Sequence, residues 1–150
     1  MSVVPQFGDP DPGQDYPDRP AAFVVLAHEG RIACVRVAWR RDGPKIDLPG
    51  GGLDPGETPA EAAARECGEE AGLNVSIVGE AFVRADHYFI NGEGERHNTR
   101  GLFFEARLEG EAPELKIEDD HALVWLEPLA ALKALDRESH AWAVTAWLRR

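Results

Sequence analysis

The run from Gly51 to Leu73, GGLDPGETPAEAAARECGEEAGL, constrains this chain more than any other stretch. A short apolar segment, Ile46-Asp47-Leu48, leads into Pro49-Gly50-Gly51-Gly52, where successive glycines permit backbone conformations and close approaches closed to other residues. Asp54-Pro55-Gly56 has proline where a turn fixes φ and glycine where a type II turn needs positive φ. A helix then starts with unusual clarity. Thr58 is a good N-cap, Pro59 suits the first helical position, Glu61 completes a capping box, and Gly72 is a natural stop. Ala60, Ala63, Ala64, Cys67 and Ala71 form a small-residue stripe, so this helix is expected to lie close against a sheet. On the other side Glu66, Glu69 and Glu70 fall within a sector of roughly 100°. Converging hard oxygen donors suit Mg²⁺ or Mn²⁺. An acidic solvated face is the plainer reading, because like charges at this spacing cost only a few tenths of a kcal/mol on an exposed helix.

The loop decides between the two readings. Gly51, Glu57, Arg65, Glu66, Cys67, Glu69, Glu70, Gly72 and Leu73 stand at the spacing of Gly, five residues, Glu, seven residues, then Arg-Glu-apolar-any-Glu-Glu-any-Gly-apolar. At average residue frequencies the fixed Gly, Glu and Arg positions coincide about once in 10⁸ starts. The pattern resembles the signature box of the Nudix hydrolases, which cleave nucleoside diphosphates linked to a further moiety X. The resemblance implies an α/β fold, an α/β/α sandwich around a mixed sheet, with the box as a catalytic loop-helix-loop. It implies Glu69 and Glu70 as principal metal ligands, Glu66 as a further ligand or an aid to activating water, and the carbonyl of Gly50 as a backbone ligand. It also implies that Arg65 orients the loop by pairing with Glu57. From the residues alone, Arg65 could equally pair with Glu61 or Glu69 one turn away.

Composition agrees with one compact enzyme. One hundred and fifty residues with 43% apolar content can bury a real core. The net charge of −11 argues against holding long nucleic acid on a basic surface, though not against a small anionic substrate drawn in by metals and local arginines. Cys34 and Cys67 read as small core residues. No signal-peptide pattern opens the chain and no apolar run approaches membrane-spanning length, so a soluble cytoplasmic protein is expected. A homodimer is left open.

Along the chain, residues 1–20 read as a Pro/Asp-rich arm, expected to be partly ordered, ahead of a single domain over 21–150. Ala21 to Ala27 and Arg31 to Trp39 read as a hairpin. Two strand-like stretches follow the helix, Val75 to Val78 and Ala81 to Ile90, then strands over Thr99 to Leu108 and Ala122 to Leu126. Pro128 to Leu135 and Arg137 to Leu148 read as helices, the second turning Ala141, Val144 and Leu148 inward.

Outside the box, substrate contacts are sought among Arg84 and Arg100, whose guanidinium groups fit phosphate oxygens, with Arg96 as a further option. Tyr88, Phe89 and Phe103 could stack on a base, or lie in the core. His87 and His97 could move protons, or be plain strand residues. Glu118, Asp119 and Asp120 occupy a region where the resembled family often has a base-recognising or water-activating acid. The NADH-directed and coenzyme A-directed members carry extra motifs absent here. The expected activity is therefore a metal-dependent pyrophosphohydrolase acting on a small nucleotide: a nucleoside triphosphate, oxidised or not, or an ADP-linked compound. The alternatives are a catalytically silent nucleotide sensor and an RNA 5′-end pyrophosphohydrolase.

Overall fold

The computed structural model describes residues 3–150. In chain order its strands and helices are β1 (Gln6–Phe7), β2 (Asp18–His28), β3 (Arg31–Val37), β4 (Lys45–Asp47), β5 (Gly50–Gly52), α1 (Pro59–Ala71), β6 (Leu73–Ile90), β7 (Arg96–Glu111), β8 (His121–Leu126), α2 (Pro128–Ala134) and α3 (Glu138–Leu148). A single 3₁₀ turn, Pro113–Leu115, separates β7 from β8.

The architecture follows from β2, which is apolar on both faces. Ala22, Val24 and Leu26 pack with Ala62, Ala63, Cys67 and Ala71 of α1. Their neighbours Ala21, Phe23 and Val25 pack with Ala131 of α2 and Ala143 and Val144 of α3. A strand buried on both sides has period two toward two different cores, and helices must cover each. The result is the expected α/β sandwich. The sheet is mixed and eight-stranded, ordered β1-β6-β7-β2-β3-β4, with β5 on β2 and β8 on β3. β1 runs parallel to β6 and β2 parallel to β7, while the other pairings are antiparallel.

The expected hairpin exists but is brief. Glu29 and Gly30 both have positive φ, 51° and 78°, as a tight two-residue turn requires. Yet β2 and β3 pair only at Ala27↔Ile32 and His28↔Arg31. Beyond that β2 turns to β5 and β7, whereas β3 turns to β4 and β8. Hydrophobic alternation cannot reveal such a divergence, because the central residues of both strands, Ala21 to Leu26 and Ile32 to Val35, are buried on both faces.

Other boundaries also shift. The two stretches after α1 are one strand, β6, with an irregularity between Val78 and Val83 where Gly79 takes φ 69°. β2 begins three residues inside the arm. Gln6 and Phe7 pair with Asp86 and His87, and the Pro5 carbonyl accepts from the Asp86 N–H at 2.9 Å. Tyr16 packs edge-on against Tyr88 at 5.3 Å. The described part of the arm therefore lies across β6; Met1 and Ser2 lie outside the described residues. On α3 the inward positions are His140, Ala143 and Val144; Ala141 is half-buried, and Leu148, expected inward, is 43% exposed. No helix among the described residues is long and apolar enough to cross a membrane.

The start of α1 is formed as the residues dictate. Thr58 accepts from the Glu61 N–H at 3.1 Å, and Glu61 accepts from the Thr58 N–H at 3.0 Å. Gly72 closes the helix in the left-handed region at φ 67°, its N–H donating to the Gly68 carbonyl. Replacing Thr58 by Ala is expected to lower unfolding free energy by about 1 kcal/mol. Urea denaturation checks this, and an unchanged midpoint would show the cap to be redundant.

Candidate active site

Gly50–Gly52 make a strand rather than an open turn, pairing with Phe23, Ala22 and Ala21 of β2. The glycines matter for proximity. A Cβ on Gly50 would collide with the Ala22 carbonyl and approach the Phe23 Cα at 2.6 Å. On Gly51 it would meet the carboxyl carbon of Glu66 at 2.8 Å. Only side-chain-free backbone lets α1 bring its carboxylates onto this strand.

Arg65 knits helix to loop. Its Nε donates to Glu57 at 2.7 Å and one terminal nitrogen to the other Glu57 oxygen at 2.9 Å, a bidentate pair. The same terminal nitrogen reaches the Gly52 carbonyl at 3.1 Å. The other donates to Glu69 at 2.9 Å and Glu66 at 3.2 Å. The option of pairing with Glu61 falls away, since Glu61 caps the helix. The Arg65 hydrogen bond, aided by the Asp54 N–H, pulls the Glu57 carboxyl down to about 2, and Glu57 in turn raises Arg65 above its ordinary value.

Glu70 is buried. One oxygen accepts from the Gly50 N–H at 3.0 Å, and the other lies 3.0 Å from His121 Nε2. Burial raises its pKa, opposed by His121 and the Gly50 N–H. Burial, then the neighbouring Glu70 charge, pushes Glu66 up to about 7 despite Arg65. His121 also meets Asp120 through Nδ1 at 2.9 Å. Burial opposes its charging, but Glu70 and Asp120 outweigh that and lift it to about 9. Ligand atoms of Glu118, Asp120 and His121 lie within 4.8 Å of one another. The Glu118 N–H donates to the Glu69 carbonyl at 3.1 Å, tying this acidic loop to the end of α1.

These groups border a cleft of about 640 Å³ between the diverging strands. Glu66, Glu70, Glu118, Asp120 and Gly50 line it. Glu69 is turned toward Arg65 and is not on the lining, and Asp119 is exposed. Three of the other expected contacts lie elsewhere. Arg84 is exposed, Arg100 is held by Asp86 at 2.8 Å and Asp18 at 2.9 Å, and Tyr88 borders a separate cavity of about 230 Å³. Arg96 pairs with Asp11 at 3.3 Å. Phe89 and His97 line the main cleft, whereas Phe103 is in the core and His87 meets Ser139 at 3.0 Å. The cations on the cleft are Arg19, Arg40 and Arg137, which no motif marks. His121 was equally unmarked, although it directly follows the acidic run.

Fold and site together describe a domain whose mixed sheet and glycine strand hold an acidic helix at the wall of a cleft. The NUDIX domain family model matches residues 17–148, and the chain belongs to the Nudix hydrolase family. It is similar to a Bacillus subtilis (strain 168) protein that carries the provisional name 8-oxo-dGTP diphosphatase, with 37% identity over 61% of this chain and 55% of that one. The alignment thus spans little more than half of the Bacillus protein. An RNA pyrophosphohydrolase of Rhizobium meliloti (strain 1021) is 33% identical over 69% of this chain and 71% of its own length. Among solved structures, a MutT protein from Methanosarcina mazei Go1 superposes with a TM-score of 0.71 at 19% identity, covering 91% of this chain and 97% of that one. At that identity the likeness concerns the fold.

The His121 pair sets a pH dependence. Its folded pKa of about 9 exceeds its ordinary 6.5, so its stabilisation is complete below 6.5 and lost as pH rises to 9. In chelator, the stability gap between the wild type and His121→Gln should shrink by on the order of 1 kcal/mol across that window. Urea unfolding at both ends measures it, and a constant gap would show that His121 gains nothing from its carboxylates.

Proposed function

We propose that this protein is a divalent-metal-dependent pyrophosphohydrolase of small nucleotides, with water attacking phosphorus in a nucleoside diphosphate linked to X. The observation that carries this is the gathering of acids on one cleft wall: Glu66, Glu70, Glu118 and Asp120 border the same cleft as Gly50. Such an oxygen-rich wall is suited to a hard dication, and Mg²⁺ or Mn²⁺ fits it. Glu66, Glu70 and the Gly50 carbonyl would hold it, and Glu69 would join them on turning from Arg65. Bound there, the cation would neutralise phosphate charge and lower the pKa of water.

The chain's own residues supply the rest. Arg65, anchored on Glu57 and the Gly52 carbonyl, keeps Glu69 and Glu66 in one register. The Gly50 N–H and His121 fix both oxygens of Glu70. Glu118 and Asp120 bring further acids to the same cleft, suited to accepting the proton of the attacking water. Substrates in view are nucleoside triphosphates, oxidised or not, and ADP-linked compounds. The Bacillus relative's name supports the first.

A second reading is 5′-end pyrophosphate removal from RNA, favoured by the name of the Rhizobium relative. The net charge of −11 speaks against it, since RNA binding would call for a basic track.

Glu70→Gln and Glu69→Gln should each lower metal-dependent kcat/KM at least 100-fold on the best nucleotide, with unfolding still cooperative; this scale follows from losing one group acting at the charge that develops. Near-normal turnover in either variant would refute the ligand assignment. The nucleotide is chosen by product release across nucleoside triphosphates, ADP-ribose, diadenosine polyphosphates and sugar nucleotides. Turnover of 5′-triphosphorylated RNA alone would favour the second reading.

A further inference from the structure

The cleft has another end, where Arg40 and Arg137 line it. Arg137 stands at the N-cap of α3, with its guanidinium carbon 3.6 Å from the Phe89 ring centre and 5.7 Å from that of Phe23. Its side chain lines the cleft and is only 12% exposed. Its one ion-pair partner among the described residues is Asp47, at 3.7 Å, and its Nε finds no hydrogen-bond acceptor there. Asp47 is shared, because Arg40 contacts the same carboxylate oxygen directly, while its other oxygen is buried without a hydrogen bond. Arg40 and Lys45 share Asp136 at 3.6 and 3.8 Å, and Nη1 of Arg40 is a second buried donor without a hydrogen bond.

Arg40, Lys45 and Arg137 therefore share two ion-paired carboxylates, Asp47 and Asp136, and Glu70 is a further acid whose charge reaches Arg137. The neighbouring histidines add no charge. Burial and then Arg137 hold His87 down to about 4, burial and then arginines including Arg137 do the same for His97, and His140 is held well below its ordinary value. A largely buried guanidinium nitrogen without a hydrogen bond is costly unless something completes it.

We propose that the Arg137 end of the cleft is a subsite for a phosphate-class anion carried by the substrate, separate from the diphosphate that meets the acidic wall. Stacking on Phe89 leaves the guanidinium edge as its hydrogen-bonding face, and that planar fork matches two oxygens of a phosphoryl or carboxylate group. Asp47 and Gly50 are three residues apart, so the two ends are separated by at most about 11 Å of chain. One nucleotide-sized molecule can span that. Resting on the hydrolase reading, this narrows the substrate to one bearing a second anionic group remote from the cleaved linkage.

Anion binding is measured first without metal, in chelator and at constant ionic strength, by titrating inorganic phosphate and following the melting temperature. The wild type should show a saturable rise. Arg137→Met should fold and bind phosphate at least tenfold more weakly. Absence of a saturable response in the wild type, or an unaltered one in Arg137→Met, overturns the subsite. If Arg137→Met does not fold, Arg137→Lys keeps the charge and loses the fork; it should weaken binding severalfold, and equal affinity overturns the proposal. With metal present, a dinucleotide carrying a 2′-phosphate should have a KM at least tenfold below that of its unphosphorylated twin. Equal values would sink the substrate inference. Phosphate binding in a protein that turns over no nucleotide would instead sink the hydrolase reading and leave the subsite standing.

Discussion

The structure of the site depends on one guanidinium group. Arg65 reaches Glu57 in the loop, Glu66 and Glu69 on its own helix, and the backbone carbonyl of Gly52. An exposed ion pair is worth a fraction of a kcal/mol. Here the five-donor fork is used geometrically, because each bond fixes a different segment and together they leave the loop little freedom relative to the helix. A lysine could pair with any one of these acids but could not hold them all in a plane.

Around that fixture two kinds of constraint meet. Glycine backbone at β5 removes the bulk that would keep α1 away, while the Thr58 and Glu61 cap sets where the helix begins. The carboxylates are thus carried on regular structure on both sides, which is how a site keeps its shape while its charges repel.

The parts of the site built from near neighbours in sequence were legible. Thr58, Glu61, Gly72, Arg65 and the three glutamates act through spacings that a helix imposes, so their placement could be read off. Residues brought together by long-range pairing were not. Arg84 and Arg100 looked as suitable for phosphate as any arginine, yet strand register turns them away from the cleft, and Asp86 and Asp18 occupy Arg100. Arg137 and His121 carry no motif, and their roles arise only when α3 and β8 dock. Architecture was readable because β2 is apolar on both faces. Its early parting from β3 was not, since burial patterns are blind to which neighbour a strand chooses.

The arm that crosses β6 has a bearing on how the rim of the sheet meets its surroundings. β6 is an 18-residue strand on the rim of the sheet, and β1 shields it only at Asp86 and His87. Gly8 lets the arm pass close, since a methyl there would sit 3.1 Å from the Tyr88 amide nitrogen. An unshielded rim of this length is an invitation to cross-chain pairing and fibre growth. Trimming these few N-terminal residues would bare the Asp86–His87 stretch of that rim as well.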